Sequence, residues 1–135
     1  CTSAIGLPPV RNLYHTAGVI ADGVLAQHSH HSLRRAMGPK VHGGWAVHAG
    51  SASTMLRSCV LYSSIAALFF GRGQANYSAA NATLDMLAKS RRWCAMPAVA
   101  IQWGPWAEVG LAAGAAVNQR MQSFGIGLIG LRQGR

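Results

Sequence analysis

The chain has 135 residues, half of them hydrophobic, with 12 Lys and Arg against three acids, Asp22, Asp85 and Glu108, for a net charge of +9. That length bounds it to one small domain with enough apolar residues for a core, and no apolar run reaches the ~18 residues that a membrane helix needs. The basic residues are scattered (Arg34-Arg35, Lys89, Arg91-Arg92, Arg120, Arg132) without interleaved aromatics, which argues against a nucleic-acid binder. A solvated face, or a surface for an acidic carrier or a phosphorylated cofactor, fits that pattern better.

In chain order, Val10 to His15 reads as a strand entering a Thr16-Ala17-Gly18 turn, and Ala21-Asp22-Gly23 is a further turn signal. His28 to Met37 reads as helical. A second helix is expected from about Pro39 to Ser51, with proline in its first turn, where the missing N–H costs little. Arg57 to Ser63 is the next strand, and its unbroken apolar run suits a parallel strand covered on both faces. Gly71-Arg72-Gly73 marks a loop. Gln74 to Arg92 is the strongest helix, with Ala80, Leu84, Leu87 and Ala88 on one stripe. Arg91 and Arg92 fall in its last turn, where they suit the helix dipole. After Pro97, Ala98 to Trp103 is a third strand. Strands alternating with helices imply an α/β fold with a parallel sheet. Beyond Ala107 the pattern weakens, and Ala112 to Ala116 reads as a mobile helix or lid.

Three cysteines, Cys1, Cys59 and Cys94, lack metal spacing and imply no disulfide framework, so a reducing compartment and a cytoplasmic location are expected. Cys59 lies in a predicted strand and reads as a small core residue. His28, His30 and His31 have no nearby carboxylate or thiol to complete a metal site, and none is expected. Gly125-Ile126-Gly127-Leu128-Ile129-Gly130 spells the glycine pattern of a dinucleotide turn. It lacks the acid roughly 20 residues on and is read instead as a flexible tail.

The residues that carry chemistry are Tyr77, Ser64, Lys40 and Asn81. A phenol, a hydroxyl and an ammonium are the groups needed to polarise a ketone and protonate its oxygen as hydride arrives. Tyr77 and Asn81, four apart, share one helix face. Ser64 directly follows the apolar strand Cys59 to Ser63, at the carboxyl end where open parallel sheets place their chemistry. Each alone also reads as structural: a half-buried aromatic, a strand-end cap, a solvated lysine.

Taken together, these segments resemble the ketoreductase domain of modular polyketide and fatty acid synthases, a branch of the short-chain dehydrogenase/reductases. Tyr14-His15-Thr16-Ala17-Gly18-Val19 is similar to that family's strand-end His-x-Ala-Gly signature, and Gly38-Pro39-Lys40-Val41-His42-Gly43 to its lysine motif. Tyr62-Ser63-Ser64-Ile65-Ala66 resembles the serine motif, Gly73-Gln74-Ala75-Asn76-Tyr77 the start of the tyrosine helix, and Trp103-Gly104-Pro105-Trp106 the segment after the next strand. Ordinary short-chain dehydrogenases carry lysine four residues after the tyrosine. Here Asn81 stands there and Lys40 supplies the amine, the exchange that marks synthase-type ketoreductases.

The resemblance implies a partial Rossmann-like doubly wound parallel sheet, residues 1–135 forming the C-terminal, catalytic portion of the domain. The nucleotide-binding half is expected upstream, and 107–135 would form a lid and irregular tail. It implies reduction by NADPH of a β-ketoacyl thioester, carried on the phosphopantetheine arm of an acyl carrier protein, to a β-hydroxyacyl thioester. Other domains of the same synthase would be partners; no nucleic acid or membrane is expected. Tyr77 would donate the proton, Ser64 hydrogen-bond the ketone oxygen, Lys40 touch the nicotinamide ribose, and Asn81 orient a water or the lysine. Ala17, Gly18, Gly104 and Pro105 would line the nicotinamide side, and Trp106 the substrate channel. Asp22 stands at the last position of the Leu-Asp-Asp motif of the B-type stereochemical class, here Ile20-Ala21-Asp22; it equally begins an Asp-Gly turn. Phe69 occupies the position, eight before the tyrosine, where the A-type class has tryptophan. Two alternatives remain at this level: an inactive structural fragment of such a synthase, and a basic nucleic-acid-binding module.

Overall fold

A computed structural model describes residues 8–69, 73–110, 119 and 121–134. Gly71 and Arg72, and the proposed lid at 112–116, lie outside the described residues. The chain divides into two compact units, Cys1–Gln102 and Trp103–Arg135.

In the first unit, β1 (Asn12–His15) pairs in parallel with β2 (Ser58–Ser64), with Leu13 opposite Cys59 and His15 opposite Leu61. The third strand, β3 (Val99–Trp103), lies on the other side of β2, so the order is β1-β2-β3. Parallel neighbours need long crossovers, and helices fill them. Between β1 and β2 run α1 (His30–Met37), a π-turn (Gly38–His42) and α2 (Gly43–Ser51). Between β2 and β3 run the short α3 (Ala66–Phe69) and the long α4 (Ala75–Trp93). The strands and helices expected up to Trp103 are present, within two residues at most ends. One differs in kind: the single helix expected from Pro39 opens with a π-turn, closed by Gly43 N–H bonding the carbonyl of Gly38.

Local chemistry explains the boundaries. Ser29 caps α1 by accepting from Ser32 N at 3.2 Å. At the far end of α4, Ala95 takes φ 55°, while Met96 N bonds Arg91 O and Ala95 N bonds Arg92 O. This is a Schellman stop with alanine where glycine is favoured.

The core gathers Leu56, Cys59, Leu61, Leu84, Leu87 and Ala88, with Leu13, Ala98 and Ala100 against it. Ala80, Leu84, Leu87 and Ala88 are all buried, so the predicted stripe is the face that α4 lays on the sheet. Burial along β2 alternates: Cys59, Leu61 and Ser63 are buried towards the core, while Ser58, Val60, Tyr62 and Ser64 are half-buried. The face of β2 that carries Val60, Tyr62 and Ser64 is therefore half-covered, and the opposite face is closed. Helix α2 approaches α4 through Gly44, where an added Cβ would lie 2.9 Å from Leu84 Cδ2.

Arg91 lies in the last turn of α4 as expected, but it is buried (1 % exposed) and not solvated, bonding Ser51 Oγ and His48 Nδ1 at 3.1 Å each. It thereby ties the ends of α2 and α4 together. Burial raises the Cys59 thiol above its usual range, and the Arg91 charge offsets part of that rise.

In the second unit, Ile129 N bonds Pro105 O at 2.9 Å, Ala107 N bonds Ile129 O at 3.0 Å, and Trp106 and Ile129 form a parallel bridge. The glycine-rich stretch, expected to be a flexible tail, is therefore tied at Ile129 to Pro105-Trp106-Ala107. Its first glycine, Gly125 (φ 71°), ends a helical turn, with Ile126 N bonding Met121 O. Turn residues follow the bridge, so these glycines build no phosphate loop.

Candidate active site

The site grows from the π-turn and the open end of β2. The π-turn carries Lys40 inward, and its ammonium donates to the backbone carbonyl of Tyr62 at 2.7 Å. Tyr62 precedes Ser63-Ser64, so this one bond fixes the amine at the carboxyl end of the central strand. The Tyr77 ring, from the first turn of α4, lies with its centroid 5.8 Å from Lys40 Nζ. That spacing is within cation–π range.

Lys40 is 3 % exposed. Burial pulls its amine down from 10.5 to about 8, and the Asp85 carboxylate resists the fall. Asp85 was not singled out from sequence; it is half-buried on α4 and accepts from Gln102 Nε2 at 2.9 Å. A lysine that stays charged in the unfolded chain up to pH 10.5, but loses its proton near 8 when folded, destabilises the fold while both states are protonated. Unfolding free energy should therefore rise between pH 8 and pH 10.5, by about 3 kcal/mol at most. Urea denaturation across that window reads it, and Lys40→Met should flatten the rise.

Asn81, one turn after Tyr77, is fully buried. Its Nδ2 donates to the Tyr77 carbonyl at 2.8 Å, and Ser63 Oγ donates to the Asn81 carbonyl at 3.2 Å. Asn81 Oδ1 is buried with no partner among the described residues. A buried acceptor left in that state costs stability, and it suits a donor passed along a proton relay. Ser64 Oγ accepts from Ala66 N at 3.2 Å, which is the strand-end cap its position suggested. That bond uses an oxygen lone pair and leaves the O–H to donate. Lys40, Tyr77 and Asn81 are thus brought together beside the strand end that carries Ser64.

The segment after β1 is tied to the start of the tyrosine helix. Asn76 Nδ2 donates to Ala21 O at 2.8 Å, Gly23 N to Gly73 O at 2.8 Å, and Gln74 Nε2 to Asp22 Oδ2 at 3.1 Å. Gly73 has φ 74°, a conformation that favours glycine. Asp22 is exposed and serves here as an anchor to Gln74, three residues before Tyr77. Phe69, at the end of α3, is 70 % exposed. Ala17 is exposed and Gly18 half-buried in the irregular segment after β1. Gly104, Pro105 and Trp106 belong to the second unit, where Pro105 is buried and the Trp106 ring lies 5.1 Å from that of Trp103.

His15, read as a strand-end packing residue, closes β1 and is 7 % exposed; burial and the Lys40 ammonium lower its pKa from the ordinary histidine value. Among the described residues no three His, Cys, Asp or Glu side chains gather as metal ligands. No described helix is long and apolar enough to cross a membrane.

The comparisons with known proteins agree with this geometry. Residues 2–108 match the KR domain family model. The chain is 44 % identical over 107 residues to the phthioceranic/hydroxyphthioceranic acid synthase of Mycobacterium tuberculosis, covering 79 % of this chain and 5 % of that protein. It is 43 % identical over 110 residues to the naringenin synthase of Pestalotiopsis fici, covering 81 % and 4 %. An A-type ketoreductase from a modular polyketide synthase superposes with a TM-score of 0.90 at 33 % identity, covering 98 % of this chain and 30 % of that one. The ketoreductase of the first module of phoslactomycin biosynthesis in Streptomyces sp. HK803 gives 0.87 at 32 %, with 98 % and 30 % covered. A short-chain dehydrogenase from Streptomyces avermitilis, at 21 % identity and a TM-score of 0.69, shares the fold. With its parallel sheet and its lysine, serine and tyrosine motifs in place, the chain belongs to the ketoreductase (KR) domain family of polyketide synthases.

Proposed function

We propose that this chain supplies the catalytic portion of a domain that reduces a β-ketoacyl thioester, held on an acyl carrier protein, to the β-hydroxyacyl thioester, with NADPH as reductant. The observation that carries this reading is the buried Lys40 ammonium set 5.8 Å from the Tyr77 ring centroid, with Asn81 one turn along the same helix. Bound NADPH would supply the hydride. Its nicotinamide side is suited by Lys40, which among the described residues bonds only the Tyr62 carbonyl and has two further N–H groups for ribose hydroxyls. Ala17 and Gly18 are the backbone positions of the same unit assigned to that side.

The chain's own groups then divide the work. The Tyr77 hydroxyl gives its proton to the ketone oxygen, and the Ser64 O–H donates to that oxygen as charge builds on it. Lys40 stabilises the phenolate left behind by its charge. Asn81 Oδ1 accepts from the donor that returns a proton along Lys40. Trp106 is assigned to the substrate channel. A D-configured alcohol follows if Asp22 acts as in the B-type class, and chiral analysis of the product tests that clause.

The test is a β-ketoacyl thioester with NADPH, followed by nicotinamide absorbance and by mass of the product, on the 135-residue chain and on a version extended upstream. Formation of the β-hydroxy product by the extended protein supports the assignment. NADPH binding without product, or no binding by either protein, rejects it.

A further inference from the structure

We propose that the outer face of α1, carrying His30, His31, Arg34 and Arg35, is the docking surface for an acidic face of the carrier protein that presents the thioester. The identity of the partner rests on the proposed reductase reading; the charge of the surface does not.

Helix α1 has two unlike sides. Ala36 is buried, and Leu33 and Met37 are half-buried, so that side packs on the fold. His30, His31, Arg34 and Arg35 are all exposed and together line one surface depression. His30 and Arg34 are four apart, as are His31 and Arg35, so the four groups lie side by side along the helix. Helix stability accounts for only half of them. Arg34 and Arg35 fall in the last turn, where cations suit the dipole. The first turn, where acids are favoured, holds the two histidines and no acid.

Within the first unit nothing neutralises this face. No acid occurs between Asp22 and Asp85 in the chain. Asp22 Oδ2 accepts from Gln74, and Asp85 Oδ2 accepts from Gln102. Among the described residues the Arg34 and Arg35 guanidiniums form no hydrogen bond or ion pair. The helix that presents them is nevertheless well fastened. Ser29 Oγ accepts from Ser32 N, Ser32 Oγ donates to Ser29 O at 2.9 Å, and His28 Nδ1 lies 3.1 Å from Ser32 Oγ. A fixed row of unpaired basic groups raises the local concentration of an anionic partner and sets its orientation.

A folded acidic surface is the occupant that fits. A second copy of this chain offers none, having three acids of which two are already bonded. A nucleic-acid strand is bound by aromatic groups set among cations, and α1 has no aromatic beyond its histidines. A membrane surface is bound by apolar groups beside cations, and the exposed side chains of α1 are His and Arg. The place of α1 in the fold suits a substrate carrier. It runs directly into the π-turn that holds Lys40. Just before it, the His28 ring packs on Gly23, where an added Cβ would lie 3.4 Å from Cε1, and Gly23 N bonds Gly73 O. Asp22, beside Gly23, bonds Gln74, three residues before Tyr77. A partner seated on α1 therefore stands on the segment that joins the start of the tyrosine helix to the lysine.

The test uses the protein extended upstream. Binding of an acyl carrier protein is read by fluorescence anisotropy. Reduction of one β-ketoacyl group is followed on that carrier and on a short soluble thiol. Arg34→Glu with Arg35→Glu should weaken carrier binding and raise the KM of the carrier-bound substrate ~10-fold at low salt, leaving kcat and the short thioester unchanged. Arg34→Gln with Arg35→Gln keeps good helix formers and should act in the same direction by ~3-fold. Arg57→Glu with Lys89→Glu, an exposed pair giving the same change of net charge as the first variant, should alter neither. Wild-type binding should weaken as salt rises and survive removal of the carrier's phosphopantetheine arm. The proposal is overturned if both α1 variants bind the carrier like the wild type, or if the control pair weakens binding equally. It is also overturned if binding is lost with the arm, which makes the arm's phosphate the ligand, or if a DNA duplex binds more tightly than the carrier at the same salt. Failure of the wild type to reduce either thioester would reject the reductase reading, and the binding measurements would still decide the docking surface.

Discussion

Tyr77→Phe should abolish ketone reduction while leaving the protein folded. The substitution removes one oxygen and keeps the ring that faces Lys40 Nζ. Loss of a positioned proton donor costs on the order of 10²- to 10⁴-fold in rate, so kcat should fall by about that factor. Affinity for NADPH should change little, because the ammonium that would meet the ribose is held by the Tyr62 carbonyl and not by the phenol. Stopped-flow or steady-state rates beside a fluorescence titration of NADPH separate the two effects. A variant that retains more than a tenth of the wild-type rate would remove Tyr77 from the role given to it.

Leu84→Ala should cost about 2–5 kcal/mol, the range for a large-to-small change in a closed core. Leu84 is fully buried, belongs to the central cluster, and is the side chain that the Gly44 backbone approaches. Removing it opens a void against both the sheet and α2. Met86, two residues on and 60 % exposed, is the matched control, and Met86→Ala should stay within about 0.5 kcal/mol. Equal losses at the two positions in urea denaturation would mean that α4 does not pack as described.

Much of this was legible in the residues themselves. The stripe of Ala80, Leu84, Leu87 and Ala88 gave the buried face of α4, because period and side-chain size suffice for a long amphipathic helix. Ser64 at the end of an apolar run gave the open end of β2. The family motifs gave the meeting of Lys40 with Tyr77, which no local pattern provides: the two are 37 positions apart and come from different crossovers. The π-turn was not visible, since Pro39 at the start of a helical pattern reads as an ordinary first turn. Arg91 was legible only in its place in the last turn of α4. A basic residue in a last turn usually reaches solvent, and here the neighbouring α2 offers His48 and Ser51 instead. The glycine run at 125–130 misled in the opposite direction, because its partner, Pro105-Trp106-Ala107, lies far upstream.

The tyrosine helix is gripped at both extremities. Asn76 pins its beginning to Ala21, while at its close Arg91 reaches into α2 and Arg92 donates to Ala98 O at 3.0 Å. The left-handed Ala95 between those arginines and β3 fixes where the rod stops. A shaft seated in two bearings neither slides nor turns freely, so the azimuth of the phenol is decided partly at the opposite end of the domain. Changes around residues 91–98 should therefore reach the phenol through the helix itself.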